Sequence, residues 1–325
     1  MPALTLGVGA LGISDIAVRK FIPALRASGC ARLVAAGTEH PQKEAARSLA
    51  AESVDVTTYA GLLAREDVRL VYISLPNHLH EEWTIRALAA GKHVLCEKPL
   101  APTLDAVERM TAAARAANRL LYEGVMFLHH PQHAAVRQLV ASGTIGNVRL
   151  LRAAFGFHLQ APDNFRFDVR RGGGACNDLL IYMVSAANLF LEGNLVSATG
   201  YLTRRGDLDV AAQGVARTSA GGTFCFSIGM EQQYESFYEL VGEIGSLRLD
   251  RAFTTPPDMA NTLAALTGSR PSSIPLPPAD HFAEMIRHVC GLVARGAGDD
   301  AGCERMLGVH RQIDLIKRSL EPVNR

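Results

Sequence analysis

The sequence predicts two parts: an N-terminal α/β unit with a doubly wound parallel sheet of Rossmann type, then an α/β domain on a large, mostly antiparallel open sheet. Three observations carry this expectation. Up to residue 122, short apolar runs alternate with segments of helical spacing, the pattern of a parallel sheet covered on both faces. The first apolar run leads into a glycine-rich turn. Beyond Met126, strand candidates follow one another, joined by turns such as Ala220-Gly221-Gly222, which predicts an antiparallel sheet with one solvated face. A chain of 325 residues is also long for one core. The predicted domains are residues 1–122 and 123–325.

Each element has its own warrant. Residues 4–11 (LTLGVGAL) form the first strand, and residues 14–25 carry Ile16, Val18, Ile22 and Leu25 at helical spacing. A strand (32–37), a helix (41–52), a short strand-like piece (55–60) and a helix (62–67) come next. The apolar strand 70–75 precedes a helix that stops at Gly91. Strand 93–97, helix 104–118 and strand 120–124 complete the parallel unit, with right-handed crossovers expected. The second part opens with a helix (131–143). Strands are predicted within 147–157, 195–205, 208–219, 222–230 and 235–250. Residues 254–280, rich in Pro and Ser, read as an ordered loop or arm, and helices near 282–295 and 304–320 close the chain.

Composition narrows the function classes. Hydrophobic residues make up 48% of the chain and charged ones 20%, which describes an ordinary soluble globular protein. Lys and Arg number 33 against 32 Asp and Glu, a balance that gives no long-range attraction for nucleic acid or an anionic membrane and leaves room only for a local basic patch. The six cysteines are scattered, without CxxC or a Cys/His cluster. They read as free thiols, and no metal site is expected. Met1-Pro2-Ala3 leads straight into a strand and no apolar run is long enough to span a bilayer, so a cytoplasmic location is the expectation.

Gly7-Val-Gly9-Ala-Leu-Gly12 matches GxGxxG literally, a weak signal alone. The fingerprint needs its first glycine at the strand-to-helix turn, so that the helix N-terminus faces a pyrophosphate. With the helix starting near Ser14, the turn falls at Gly12-Ile13-Ser14, and Ser14 and Ala17 occupy the second and third glycine places. Ser14 is small enough for backbone N–H groups to approach a phosphate; Ser14 and Asp15 are also good helix N-caps. Gly12, Ser14, Asp15 and Ile16 are therefore the candidate cofactor-binding turn. The second strand ends in Thr38-Glu39-His40, where such folds meet the adenosine ribose. The Glu39 carboxylate leans towards NAD, while His40 and Lys43 keep NADP open.

In HVLCEKPL (93–100) a buried-strand pattern ends in Glu97, Lys98 and Pro99. The wider stretch LPNHLHEEWTIRALAAGKHVLCEKPLA (75–101) closely resembles the signature of the glucose–fructose oxidoreductase and inositol dehydrogenase family. GTIGNV (143–148), GGGACNDLLIY (172–182) and GEIGSLRL (242–249) follow in the family's order. The resemblance covers nearly the whole chain. It implies a dinucleotide-binding domain (1–122) and a substrate-binding and oligomerisation domain (123–325). It also implies hydride transfer between nicotinamide and a hydroxyl or ketone carbon of sugars, cyclitols or polyols. Lys98 is implied as the catalytic lysine, stabilising alkoxide character on the reacting oxygen. Tyr182 is implied as proton donor or acceptor, with Asp178 on the same helical face. Leu75, Asn77, His80 and Glu97, with Lys98, fall at positions near the cofactor. A homodimer or homotetramer through the open sheet is likewise implied.

The nucleotide-sugar 3-ketoreductase branch gives the closer resemblance, through LGISDIAVRKFIPAL (11–25), Tyr182 and the Asn-x-Arg of Asn164 and Arg166. Those two residues become substrate candidates, with Arg170 and Arg171 available to a diphosphate. The chain departs from the family pattern at Cys176-Asn177, Leu180 and Met183, which stand for apolar residues, glycine and proline. Glu39 stands where an Arg is expected in NADP-using members. The leading expectation is thus an NAD- or NADP-dependent oxidoreductase acting on a nucleotide-activated deoxysugar. The alternatives are a dehydrogenase of free sugars, inositols or small diols, and a non-catalytic sensor of NAD(P) or sugar.

Overall fold

The structure is a computed structural model describing residues 5–161, 163–296 and 298–324. Leu4, the first residue of the expected opening strand, lies outside them. The chain divides into two units, residues 1–126 with 282–307 and residues 127–281 with 308–325. The second unit was expected to hold everything after residue 122, yet 282–307 cluster with the first. The reason is apolar packing: Cys303 and Leu307 join the core cluster that contains Leu11, Ile73, Val94 and Met110.

The first unit alternates β1 (Leu6–Leu11), α1 (Ile22–Ser28), β2 (Ala31–Gly37), α2 (Glu44–Ala51), β3 (Asp55–Thr57), α3 (Tyr59–Ala64), β4 (Leu70–Ile73), α4 (His80–Ala89), β5 (His93–Glu97), α5 (Leu104–Ala117) and β6 (Leu121–Gly124). Its six strands pair in the order β3-β2-β1-β4-β5-β6, all parallel. Every residue of β1, β4 and β5 is buried, as helices on both faces require. The helix expected from Ser14 starts there: Ser14 Oγ accepts the Ala17 N–H at 3.2 Å. Residues Ala17–Phe21 then wind as a π turn before α1. Pro23 lacks an N–H to continue the regular ladder, which fits the wider turn just ahead of it.

Gly7 and Gly9 lie inside β1, so the literal glycine pattern is a packing feature there. A Cβ on Gly7 would sit 1.9 Å from the Asp67 carbonyl oxygen, and one on Gly9 2.8 Å from Leu62. Gly7→Ala is expected to destabilise the protein by about 3 kcal/mol, because backbone must move to admit the methyl. Equilibrium urea unfolding checks this; an unchanged midpoint would show that β1 and β4 separate freely.

The second unit contains α6 (Pro131–Ala141), β7 (Val148–His158), α7 (Ala175–Phe190), β8 (Leu195–Arg205), β9 (Leu208–Thr218), β10 (Thr223–Gly229), β11 (Glu231–Gly242), β12 (Gly245–Asp250), β13 (Asn261–Thr267) and β14 (Arg270–Leu276). Helices α8 (His281–Ala294) and α9 (Asp300–Ser319) and strand β15 (Leu320–Asn324) end the chain. The nine-stranded sheet runs β14-β13-β12-β11-β7-β10-β9-β8-β15, antiparallel except where β10 meets β7 and β15 meets β8. α7 packs against β7, β9 and β10. Along β9 burial alternates, and Gln213, Val215 and Arg217 remain exposed, as a sheet with one open face requires.

The expected loop at 254–280 is corrected: it contains the β13–β14 hairpin, turning at Gly268 with φ +59°. Pro271 and Pro275 obscured the strand in the sequence. They are tolerated because β14 is an edge strand, where missing N–H groups break no interior ladder. Among the described residues, no helix is long and apolar enough to cross a membrane. No group of three or more His, Cys, Asp or Glu among them is placed to hold a metal ion.

Candidate active site

In the first unit the candidate residues gather where the parallel strands end, the edge at which open α/β sheets take ligands. Gly12 leaves β1 at φ +89°, a conformation that favours glycine. Its N–H donates to the Gly37 carbonyl at 3.0 Å, and Ser74 Oγ donates to the Gly12 carbonyl at 3.1 Å. A Cβ there would fall 2.8 Å from Leu75. The turn therefore stays open in front of Ser14, Asp15 and Ile16, a bare-backbone cradle of the kind a pyrophosphate needs. Thr38 and the exposed Glu39 follow β2; Thr38 Oγ1 accepts the His40 N–H at 3.0 Å. These features fit a dinucleotide.

β5 delivers Glu97 and Lys98 to the same edge. Glu97 is buried and accepts the Tyr72 hydroxyl at 2.7 Å. Burial, then the adjacent carboxylate, push the Tyr72 pKa well above its ordinary range, so Tyr72 remains a donor. Lys98 is half-buried, and the Lys98–Pro99 peptide is cis. Beyond it, Glu123 Oε1 accepts the Leu100 N–H at 2.7 Å. The acid that the sequence placed beside the cofactor thus faces inward, towards Tyr72.

Asn77 is buried at the start of a short 3-10 turn after Leu75, and His78 is exposed. His80, expected near the cofactor, is 1% exposed. Its Nδ1 lies 2.9 Å from the Pro99 carbonyl and its Nε2 2.8 Å from the Leu75 carbonyl. Burial pulls its pKa below the ordinary histidine value despite those carbonyls, which favour the protonated ring. His80 braces the ends of β4 and β5, a structural placement that the Pro-Asn-x-x-His pattern alone did not disclose.

In the second unit the glycines before α7 allow a close approach of the preceding loop. A Cβ on Gly173 would lie 2.4 Å from the Arg166 carbonyl oxygen, and the Gly174 N–H donates to that oxygen at 2.9 Å. Arg166 Nε donates to Asp178 Oδ2 at 2.9 Å. The carboxylate's side chain is 6% exposed and the guanidinium's 29%. Asn164 caps the Arg166 turn, its Oδ1 accepting the Arg166 N–H at 3.0 Å. Arg166, expected on substrate, is thus held to the Asp178 carboxylate. Arg170 is exposed and pairs with Asp168.

Tyr182 lies one turn beyond Asp178 on α7 and is 3% exposed. Rings of Phe155, Phe127 and Phe253 surround it at centroid distances of 5.0, 5.7 and 5.8 Å. Leu180 and Met183 are fully buried, so these two departures from the family pattern are absorbed by the core. The polar departure carries its own network. Asn177 Nδ2 donates to the Gly172 and Gly173 carbonyls, and Lys317 Nζ donates to Asn177 Oδ1 at 2.5 Å. Burial lowers the pKa of Lys317. The Cys176 N–H donates to Asp209 Oδ2 at 2.6 Å. Lys317 and Asp209 are therefore supports of the α7 start that the sequence reading missed. Their sequence separation from Asn177 and Cys176 left no local pattern to find.

Comparison with known proteins agrees with this arrangement. Residues 6–125 match the family described as "Oxidoreductase family, NAD-binding Rossmann fold", and residues 133–248 match "GFO/IDH/MocA C-terminal domain". The dTDP-3,4-didehydro-2,6-dideoxy-alpha-D-glucose 3-reductase of Actinomadura kijaniata is 37% identical over 312 residues, covering 95% of this chain and 94% of its own. The D-xylose 1-dehydrogenase (NADP(+)) 2 of Haloferax volcanii is 32% identical, covering 96% and 97%. A crystal structure of a 3-ketoreductase from Actinomadura kijaniata, in complex with NADP and TDP-benzene, superposes with a TM-score of 0.92. It is 34% identical and covers 98% of this chain and 99% of its own. With both family models matched and relatives of this identity covered over nearly their whole length, this chain belongs to the GFO/IDH/MocA family of oxidoreductases.

Proposed function

We propose that the protein is an NAD(P)-dependent 3-ketoreductase of a nucleotide-activated deoxysugar. The reading rests on the half-buried Lys98 at the carboxyl edge of the parallel sheet. The likeness to the Actinomadura kijaniata 3-ketoreductase supports it. That enzyme has also been solved as variants at one lysine and at one tyrosine, whose separation along its chain equals that of Lys98 and Tyr182.

When bound, the nicotinamide supplies the hydride. Lys98 hydrogen-bonds the ketone oxygen and stabilises its growing negative charge. Tyr182 holds the proton that this oxygen takes up. Asp178 acts through its place on the same helix face, and Arg166, fixed by that carboxylate, shapes the sugar-facing loop. The turn Gly12–Ile16 holds the pyrophosphate. Thr38 and Glu39 meet the ribose, with Glu39 favouring NAD by repelling a 2′-phosphate. We place the enzyme in the cytoplasm. It assembles as a homodimer or homotetramer through the sheet face that exposes Tyr201, Val215 and Val323.

The test follows nicotinamide absorbance with dTDP-linked and free sugars, with both cofactors and in both directions. Turnover is expected with a dTDP-linked ketosugar, in preference with NADH, and is expected to be lost in Lys98→Ala and Tyr182→Phe. Turnover only with free sugars would move the assignment to a sugar dehydrogenase. A preference for NADPH would overturn the role given to Glu39. Tight cofactor binding without turnover on any sugar would point to a sensor.

A further inference from the structure

We propose that Cys30 and Cys290 are a reversible disulfide pair that fastens the returning C-terminal segment to the first unit. The two sulfurs lie 3.0 Å apart although 260 positions separate the residues. Both thiols are partly exposed, whereas Cys96, Cys176 and Cys303 are buried; Cys225, also partly exposed, lies in the second unit.

The backbone presents Cys30 in a fixed position. Gly29 turns the chain out of α1 at φ +70°, and the Cys30 carbonyl accepts the Leu6 N–H at 3.2 Å. Ser28 Oγ lies 3.2 Å from the Cys30 sulfur and donates to the Leu25 carbonyl at 2.7 Å. Cys290 sits in the last two turns of α8. Burial, then the neighbouring Cys30 thiol, push its pKa up.

The segment 282–307 is the one part of the first unit that is not continuous with residues 1–126. Besides the core packing of Cys303 and Leu307, it is tied by separate contacts. The Gly298 N–H donates to Asn118 Oδ1, Arg115 pairs with Glu304, and the Tyr122 ring lies 5.6 Å from that of His288. A covalent link there would close a long loop, the geometry in which cross-linking most reduces the freedom of the unfolded chain.

The oxidant is a low-molecular-weight disulfide. The Cys30 thiolate attacks one of its sulfurs and expels a thiolate, which takes up the proton released from Cys30. Cys290 then attacks the Cys30 sulfur, and the second small thiol leaves with the Cys290 proton. Two protein thiols are oxidised and one small disulfide is reduced to two thiols.

The test incubates the full chain with oxidised glutathione, counts thiols under denaturing conditions, and maps peptides by mass spectrometry. Titratable thiols are expected to fall from six to four, with one linked peptide pair joining Cys30 to Cys290. The oxidised form is expected to melt about 5 °C or more higher, and dithiothreitol to reverse both changes. Cys290→Ser, with the reduced protein's far-UV spectrum and melting temperature, is expected to keep a glutathione adduct on Cys30 and yield no linked peptide. Six thiols remaining, a linked pair involving other cysteines, or the same loss of two thiols in Cys290→Ser would overturn the proposal.

Discussion

Lys98→Ala is expected to lower kcat by about 10²–10³-fold, the usual cost of losing one preorganised donor to a developing oxyanion, while cofactor affinity changes little. The expectation rests on how rigidly the lysine is presented. All five residues of β5 are buried. The turn after it is tied at two points, by His80 to the Pro99 carbonyl and by the Leu100 N–H to Glu123. Glu97 is committed to Tyr72 on the inward side. Lys98→Arg should restore little, because a planar fork cannot take the place of a compact ammonium at the end of this strand. Steady-state kinetics with the best substrate, beside fluorescence titration of cofactor, separates chemistry from binding. A kcat within threefold of the parent would remove Lys98 from the reaction.

Much of this edge was legible in the sequence because parallel sheets write a simple code. Buried strands read as unbroken apolar runs, and their ends are marked where the run stops at a glycine or a charge. Gly12, Glu39 and Lys98 were singled out at such strand ends, with the role of Lys98 implied by the family resemblance. The register of the glycine turn was also legible, since Gly7 and Gly9 fall within the apolar run of β1 and Ser14 caps the helical turn beyond it. Direction and distance stayed hidden. Alternation gives no sign that Glu97 turns towards Tyr72, or that both His80 nitrogens face backbone carbonyls. The hairpin of β13 and β14 was masked by prolines that an edge strand tolerates. Lys317 supports the start of α7 from a helix 140 positions away. The return of residues 282–307 to the first unit is likewise a tertiary choice, made by Cys303 and Leu307 entering its core.

Acidification from pH 7 to pH 5 is expected to cost about 3–4 kcal/mol of stability, well before the carboxylates titrate. Two buried histidines carry most of it. His133 is 2% exposed, and burial, reinforced by His130 and His281, lowers its pKa to about 3. Gln132 Nε2 donates to the Ala252 carbonyl at 3.2 Å and to Thr255 Oγ1 at 3.1 Å, and lies 3.4 Å from His133 Nε2. His133 Nδ1 lies 2.9 Å from the Tyr238 hydroxyl oxygen. His93 is 5% exposed, and burial, then Arg119 and Arg69, lower its pKa to about 4. Its Nδ1 accepts the Leu120 N–H at 3.0 Å, which a second ring proton would oppose. Below about pH 6.5 the unfolded chain takes up a proton on each ring while the folded chain does not. Stability therefore falls as pH falls, by about 2 kcal/mol per fully buried ring at pH 5. Urea unfolding at pH 7, 6 and 5 measures the slope. His133→Gln, which keeps an acceptor and a donor but cannot titrate, should remove about half of it. A parent protein equally stable at pH 7 and pH 5 would mean that both rings take up protons in the folded state as readily as in the unfolded chain.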